Sequence, residues 1–230
     1  MKFFPLAPML ALLGSLLITG CALQPSPQFY QLDAGQPALP TRDKGPAVLL
    51  GPLKLADYLQ RENLLQRESD GRLQLSQAAR WAGSLEDDVG QLLVRQLAGR
   101  LDSSRVALYP DRVGFAGQWQ VVLTIGRLDS GVSQPAVLEA QWRVLDAAGS
   151  LRDSRLLRLQ AEHDGAVASQ VKAQSQLLQE LAGELATTLG KLPVSSPPAR
   201  ATGKSAGQRP ASVPKVAPPL PVPQAEVYRF

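Results

Sequence analysis

The side chains that could do chemistry are few. Cys21 is the only cysteine among 230 residues and follows Ile18-Thr19-Gly20 at the end of an apolar run. A thiol in that place can take an acyl group, while a single cysteine excludes an intramolecular disulfide and any zinc site built on several cysteines. His163, the only histidine, stands beside Asp164. Neither Gly-x-Ser-x-Gly nor His-Glu-x-x-His occurs to give it a nucleophile or a metal, so it reads as a loop residue before a helix. Glu86-Asp87-Asp88 could hold a metal or act as a base. The three follow Ser84 directly, however, and capping of a helix N-terminus accounts for all of them. Gly203-Lys204-Ser205 imitates the end of a phosphate-binding loop, but Pro198 stands where its first glycine belongs and no strand precedes it. These residues assemble into no catalytic site, and the reading is of a non-enzyme with no cofactor and no metal.

Cys21 gains meaning from what precedes it. Lys2 supplies a positive start, and Met9 to Ile18 is aliphatic apart from Gly14 and Ser15, the layout of a secretory signal peptide. The run is too short to span a bilayer, which takes roughly 20 apolar residues. Leu17-Ile18-Thr19-Gly20-Cys21 resembles the bacterial lipobox, where signal peptidase II cuts before a cysteine already carrying diacylglycerol. The resemblance implies a mature chain that begins at Cys21 and carries a further acyl chain, such as palmitate, on its amine. Two or more chains anchor stably, at ~0.8 kcal/mol per buried methylene. Ala22 stands where retention in the inner membrane would favour aspartate. The rule for such precursors therefore points to the periplasmic face of the outer membrane.

Composition divides the remainder near Pro193. Nine of the 19 prolines fall in residues 193–230, which show neither helical nor strand period and read as a disordered, partly polyproline tail. The tail carries Arg200, Lys204, Arg209, Lys215 and Arg229 against Glu226, matching the formal net charge of +4 of the whole chain. The folded part is thus near neutral. The basic balance does not signal nucleic acid; it offers the tail anionic headgroups or peptidoglycan. The expected organisation is a signal peptide at 1–20, a tether at 21–28, one domain at 29–192 and the tail at 193–230.

Within the domain, Phe29 to Leu32 alternates as a first strand and Ala47 to Leu50 suits a buried one. Lys54 to Leu75 reads as extended pieces reversed at Ser69-Asp70-Gly71. A helix is predicted over 84–101, capped by Ser84, with Leu85, Val89, Leu92, Leu93, Leu97 and Leu101 on one face. Arg105 to Tyr109 is a short strand. Three stronger ones follow, alternating through Trp119, Val121, Leu123 and Ile125, then Leu138, Ala140, Trp142 and Val144, then Leu157, Leu159 and Ala161. Turns are expected at 129–135 and 146–150, which makes the three antiparallel, with Gln120, Thr124, Glu139, Gln141, Arg143 and Arg158 on the opposite face. A last helix spans 165–191, striped by Val167, Val171, Leu178, Leu181, Leu185 and Leu189. The prediction is an α+β fold: two layers, a mostly antiparallel sheet, and both amphipathic helices on one face. Trp119 and Trp142 belong to the core. Trp81 reads as a staple under the first turn of the helix, with an exposed anchor for a partner as the alternative.

Leu55-Ala56-Asp57-Tyr58-Leu59-Gln60-Arg61, followed by Arg80-Trp81-Ala82, Leu85 and the leucine-striped helix, resembles the signature of the PqiC/YmbA-like ABC-type transport auxiliary lipoproteins. With the lipobox and Tyr30-x-Leu32, the likeness covers most of residues 21–192. Ala56 replaces the proline that commonly precedes Asp-Tyr-Leu in that pattern, and the proline-rich tail lies outside it. Asp57 and Arg61 also have the spacing of a local ion pair worth ~0.5 kcal/mol if exposed. The resemblance implies a docking or auxiliary subunit of a transport system built on mammalian-cell-entry (MCE) domains, carrying lipids between the two membranes and supporting envelope integrity. Its partners would be a periplasmic MCE-domain protein and, through the acyl chains, the outer membrane; it leaves room for a homo-oligomer. Asp57, Tyr58, Leu59, Arg61, Arg80 and Trp81 would be the structural or partner-binding residues. Two other functions stand beside this one: a periplasmic carrier that holds acyl chains itself, and an assembly factor for an outer-membrane β-barrel. The tail ends in an apolar and aromatic cluster, and Val227, Tyr228 and Phe230 could dock on a partner as an added strand or groove-bound peptide.

Overall fold

Period-two alternation builds the strands and leucine stripes build the helices of this computed structural model, which describes residues 26–41, 44–111 and 116–193. In chain order the elements are β1 (Gln28–Tyr30), β2 (Val48–Leu55), a single 3-10 turn (Asp57–Leu59), β3 (Asn63–Arg67), β4 (Leu73–Trp81), α1 (Leu85–Leu101), β5 (Val106–Leu108), β6 (Trp119–Gly131), β7 (Gln134–Asp146), β8 (Leu151–Ala161) and α2 (Val167–Lys191). All eight strands form one sheet in the order β1-β4-β3-β6-β2-β5, with β7 paired to β6 and β8 to β7. β6 is long enough to take β2 in parallel along Trp119 to Ile125 and β3 near its end, where Gln66 meets Ser130.

The fold is α+β, with both helices packed on the sheet: α1 on β2 and β5, α2 on β6, β7 and β8, and each on the other. Ser84 Oγ accepts the Asp87 amide at 3.2 Å and caps α1 as its sequence predicts. Leu85, Val89, Leu92, Leu93 and Leu97 of α1 and Val171, Leu178, Leu181, Leu185 and Leu189 of α2 are buried against Val121, Leu123, Ile125, Leu138, Ala140, Trp142 and Val144 of the sheet. Burying a leucine is worth ~1.5–3 kcal/mol, so the meeting of stripe and sheet holds the domain together.

The segment after β1 is pinned to both helices. The Leu32 amide donates to Asp88 Oδ2 at 2.7 Å, and Gln96 Nε2 donates to the Ala34 carbonyl at 2.6 Å, both from α1. From α2, Ser175 Oγ accepts the Asp33 amide at 3.0 Å and Gln179 Nε2 donates to the Asp33 carbonyl at 2.9 Å.

The structure departs from the sequence reading in its detail. The long ladders β6/β7 and β7/β8 are antiparallel, but β1/β4, β2/β5, β2/β6 and β3/β6 are parallel, so the sheet is mixed. The turn expected at 129–135 shrinks to Val132–Ser133, because Asp129 and Ser130 remain in β6 and are buried at 1% and 0% exposure. Polar residues signal turns only when nothing in the fold satisfies them, and here both find partners. Gly131 allows the close approach: a Cβ there would lie 1.9 Å from the Arg67 carbonyl oxygen.

Candidate functional site

The 3-10 turn at Asp57–Leu59 divides the signature residues between inside and outside. Leu59 is buried in the core, Tyr58 is half-buried, and Asp57 and Arg61 are exposed. No ion pair joins Asp57 to Arg61 among the described residues, so the local pair suggested by their spacing does not form. Tyr58 turns inward, where its hydroxyl donates to Asp129 Oδ2 at 2.7 Å.

Asp129 is the hub of this region. Arg67 grips it with both arms of its guanidinium, Nε to Oδ1 at 2.9 Å and Nη2 to Oδ2 at 2.6 Å, and Arg127 Nε adds a bond to Oδ1 at 2.9 Å. Arg67 also lies over the Tyr58 ring, 5.8 Å from its centroid. Burial alone would push the Asp129 carboxyl up, but the hydrogen bonds from Arg67, Tyr58 and Arg127 outweigh it and hold the group below the ordinary carboxylate range. Tyr58 is pushed well above the ordinary phenol value, by burial first and then by the Asp129 carboxylate. The buried charge is thus compensated on every side, and the 3-10 turn, the β3–β4 hairpin and β6 are fastened at one point. Sequence reasoning missed Asp129 because its turn-like neighbourhood hid it.

Three of the signature residues, Arg61, Arg80 and Trp81, line an open groove. Its volume is about 700 Å³, and Phe29, Gln60, Arg61, Glu62, Arg80 and Trp81 form its walls before the corner into α1. Trp81 closes β4, is 7% exposed, and shares the buried cluster with Leu85 under the start of α1. Arg80 places Nη1 3.8 Å from Glu62 Oε2, while its Nε is buried and has no hydrogen-bond partner among the described residues. A buried donor without an acceptor costs ~1–3 kcal/mol. The groove therefore offers an aromatic flank and two cations, of which Arg61 has no ion-pair partner among the described residues. That is the chemistry of a polar docking surface.

The other candidates are engaged in the fold. His163 Nδ1 accepts the Gly165 amide at 3.0 Å, which leaves Nε2 to donate to the Gln134 carbonyl at 2.9 Å. The acidic run at the start of α1 diverges: Asp88 holds Leu32 and Gln31, while Glu86 Oε2 lies 3.5 Å from the Leu55 amide. Cys21 and the tail residues Val227, Tyr228 and Phe230, with the lysine-containing Gly203 to Ser205, lie outside the described residues.

Residues 30–186, which contain the hub, all of the groove but Phe29, α1 and most of α2, match the family described as ABC-type transport auxiliary lipoprotein component. The chain belongs to this family. Solved structures share its fold. An uncharacterised protein superposes with a TM-score of 0.59 at 17% identity, over 72% of this chain and 99% of its own. A Xanthomonas campestris protein of the DUF330 family superposes with a TM-score of 0.57 at 17% identity, over 70% of this chain and 95% of its own. No curated protein matches the chain. Membership makes this transport auxiliary lipoprotein an accessory of a transport system, and accessories work through partners.

Proposed function

We propose that this auxiliary lipoprotein is cut before Cys21, acylated there, and held at the periplasmic face of the outer membrane as a non-enzymatic docking subunit. Its partner is the periplasmic MCE-domain protein of an intermembrane lipid transport system, and its contribution to envelope integrity follows from that link. Family membership over residues 30–186 carries the reading, and the lipobox cysteine supports the address. Between the helices and the sheet, Leu92, Leu93, Leu97, Leu177, Leu178, Leu181 and Leu185 are all at zero exposure, and such packing favours docking over carriage of acyl chains within the domain.

The groove around Arg61, Arg80 and Phe29 is the docking surface in this reading, and the tail at 193–230, through Val227, Tyr228 and Phe230, is a second, distal contact. Capture of the tagged full chain from a solubilised envelope tests the function: recovery of an MCE protein supports it, and recovery of a β-barrel, or of neither, overturns it. R61A and R80A together are expected to reduce MCE recovery while the melting temperature stays put. Equal recovery moves the contact elsewhere. A chain ending at Leu192 that captures its partner unchanged would remove the tail from the proposal.

A further inference from the structure

β1 fixes the direction from which the anchor arrives. It runs parallel to β4, with Gln28 opposite Ala79 and Tyr30 opposite Trp81. The chain therefore enters β1 from the side of β4 that leads back to Leu73, at the reversal of the β3–β4 hairpin. Pro27, which has no amide hydrogen, precedes the ladder. From Ala79 to Leu73 the strand covers ~20 Å at ~3.3 Å per residue. From Gln28 to Cys21 the chain spans at most ~25 Å. An anchor at Cys21 thus reaches little farther than the tip of that hairpin.

The same end of the domain carries exposed apolar side chains. Leu73 and Leu75 of β4 are 37% and 41% exposed, and Val132, in the β6–β7 turn, is 65% exposed. The hairpin and that turn are neighbours, since Gln66 pairs with Ser130 and Gly131 packs against the Arg67 backbone. The charges between them are partly paired: Arg72 lies 2.7 Å from Asp70 and 3.7 Å from Glu68, which leaves one net negative charge. Exposed apolar side chains flanked by ion-paired polar ones suit the boundary between headgroups and acyl chains.

We infer that the end of the domain formed by Leu73, Leu75 and Val132 rests on the bilayer that holds Cys21. The inference depends on acylation of Cys21 and adds to it an orientation. Gly165, just before α2, lies against the Val132 backbone, so α2 starts at the membrane end. Its 25 residues then run ~37 Å away from that end. The β7–β8 turn at Ala147–Ala148 lies at the other end of the β6/β7 ladder from Val132 and faces away from the lipid.

Quenching in vesicles tests this orientation. The full chain is purified in its acylated form, in which the Cys21 thiol is blocked, as the variants L73C, V132C and A148C. Each is labelled with an environment-sensitive fluorophore and reconstituted into vesicles of phosphatidylethanolamine and phosphatidylglycerol containing a nitroxide-labelled lipid. The expected result is a blue-shifted, quenched probe at positions 73 and 132 and an unshifted, unquenched one at 148. Vesicles that float with the protein but leave 73 and 132 unquenched overturn the orientation alone. Failure of the protein to float with vesicles overturns the anchor and the orientation together.

Discussion

Asp129 and Ser130 are adjacent on β6, equally buried, and serve networks of opposite character. Asp129 gathers Tyr58 from the 3-10 turn, Arg67 from β3 and Arg127 from β6 itself, and the cluster is ionic. Ser130 faces α2, where its hydroxyl donates to Gln170 Oε1 at 2.9 Å and accepts from Gln174 Nε2 at 3.0 Å; no charge takes part. The ionic cluster binds tightly but depends on a proton count, whereas the amide cluster is weaker and indifferent to pH. One strand thus fastens the signature turn by charge and the start of the second helix by neutral hydrogen bonds.

Substitutions should separate the two clusters in a fixed order. Asp129→Asn leaves two partly buried guanidinium groups facing a neutral amide and is expected to cost about 3–5 kcal/mol in chemical denaturation. A loss under ~1 kcal/mol would mean the cluster is a surface network and the contrast false. Tyr58→Phe removes one hydrogen bond to a charged acceptor, at about 1.5–3 kcal/mol. Ser130→Ala should cost about 1–2 kcal/mol, since both glutamines lose a partner and Gln174 Oε1 already lacks one among the described residues. Arg61→Ala, on the exposed side of the turn, should stay within ~0.5 kcal/mol of the parent.

Acid sharpens the same contrast. The native Asp129 carboxyl lies below its unfolded value of ~3.9, so its stabilisation is complete above that value and fades as pH falls through the lower native one. Tyr58 works from the alkaline side: its native value is raised, so its contribution is whole below ~10 and declines as pH climbs toward that native value. Denaturation of Asp129→Asn and Ser130→Ala, followed from pH 7 to well below ~3.9, should therefore converge with the parent at the acid end for the first and run parallel to it for the second. Parallel curves for both would place the acid sensitivity elsewhere.

The helices were legible because their signals are local. Ser84, the acids behind it and a leucine every third or fourth residue identify α1 within a single window of sequence. The hub was not, since Asp129 finds Arg67 and Tyr58 at separations of 62 and 71 residues and shows only a turn-forming residue type to its neighbours. The signature residues fall between these cases. Their types marked Asp57, Tyr58, Leu59 and Arg61 as a set, but only the 3-10 geometry divides them into Tyr58 and Leu59 facing in and Asp57 and Arg61 facing out. The parallel pairings of β1 and β2 were equally hidden, because nothing in a strand's own sequence names a partner many residues away.

The pinning of Leu32 to Ala34 between the two helices has a mechanical side. A subunit tethered at its front and gripped by a partner elsewhere is under tension whenever the envelope flexes. A pull on the proposed anchor would run along β1 and load its bonds to β4 in shear, all together rather than one after another. Behind that short ladder, Asp88, Gln96, Ser175 and Gln179 take up the strain from both helices at once. The force is spread into the core before any single contact must bear it.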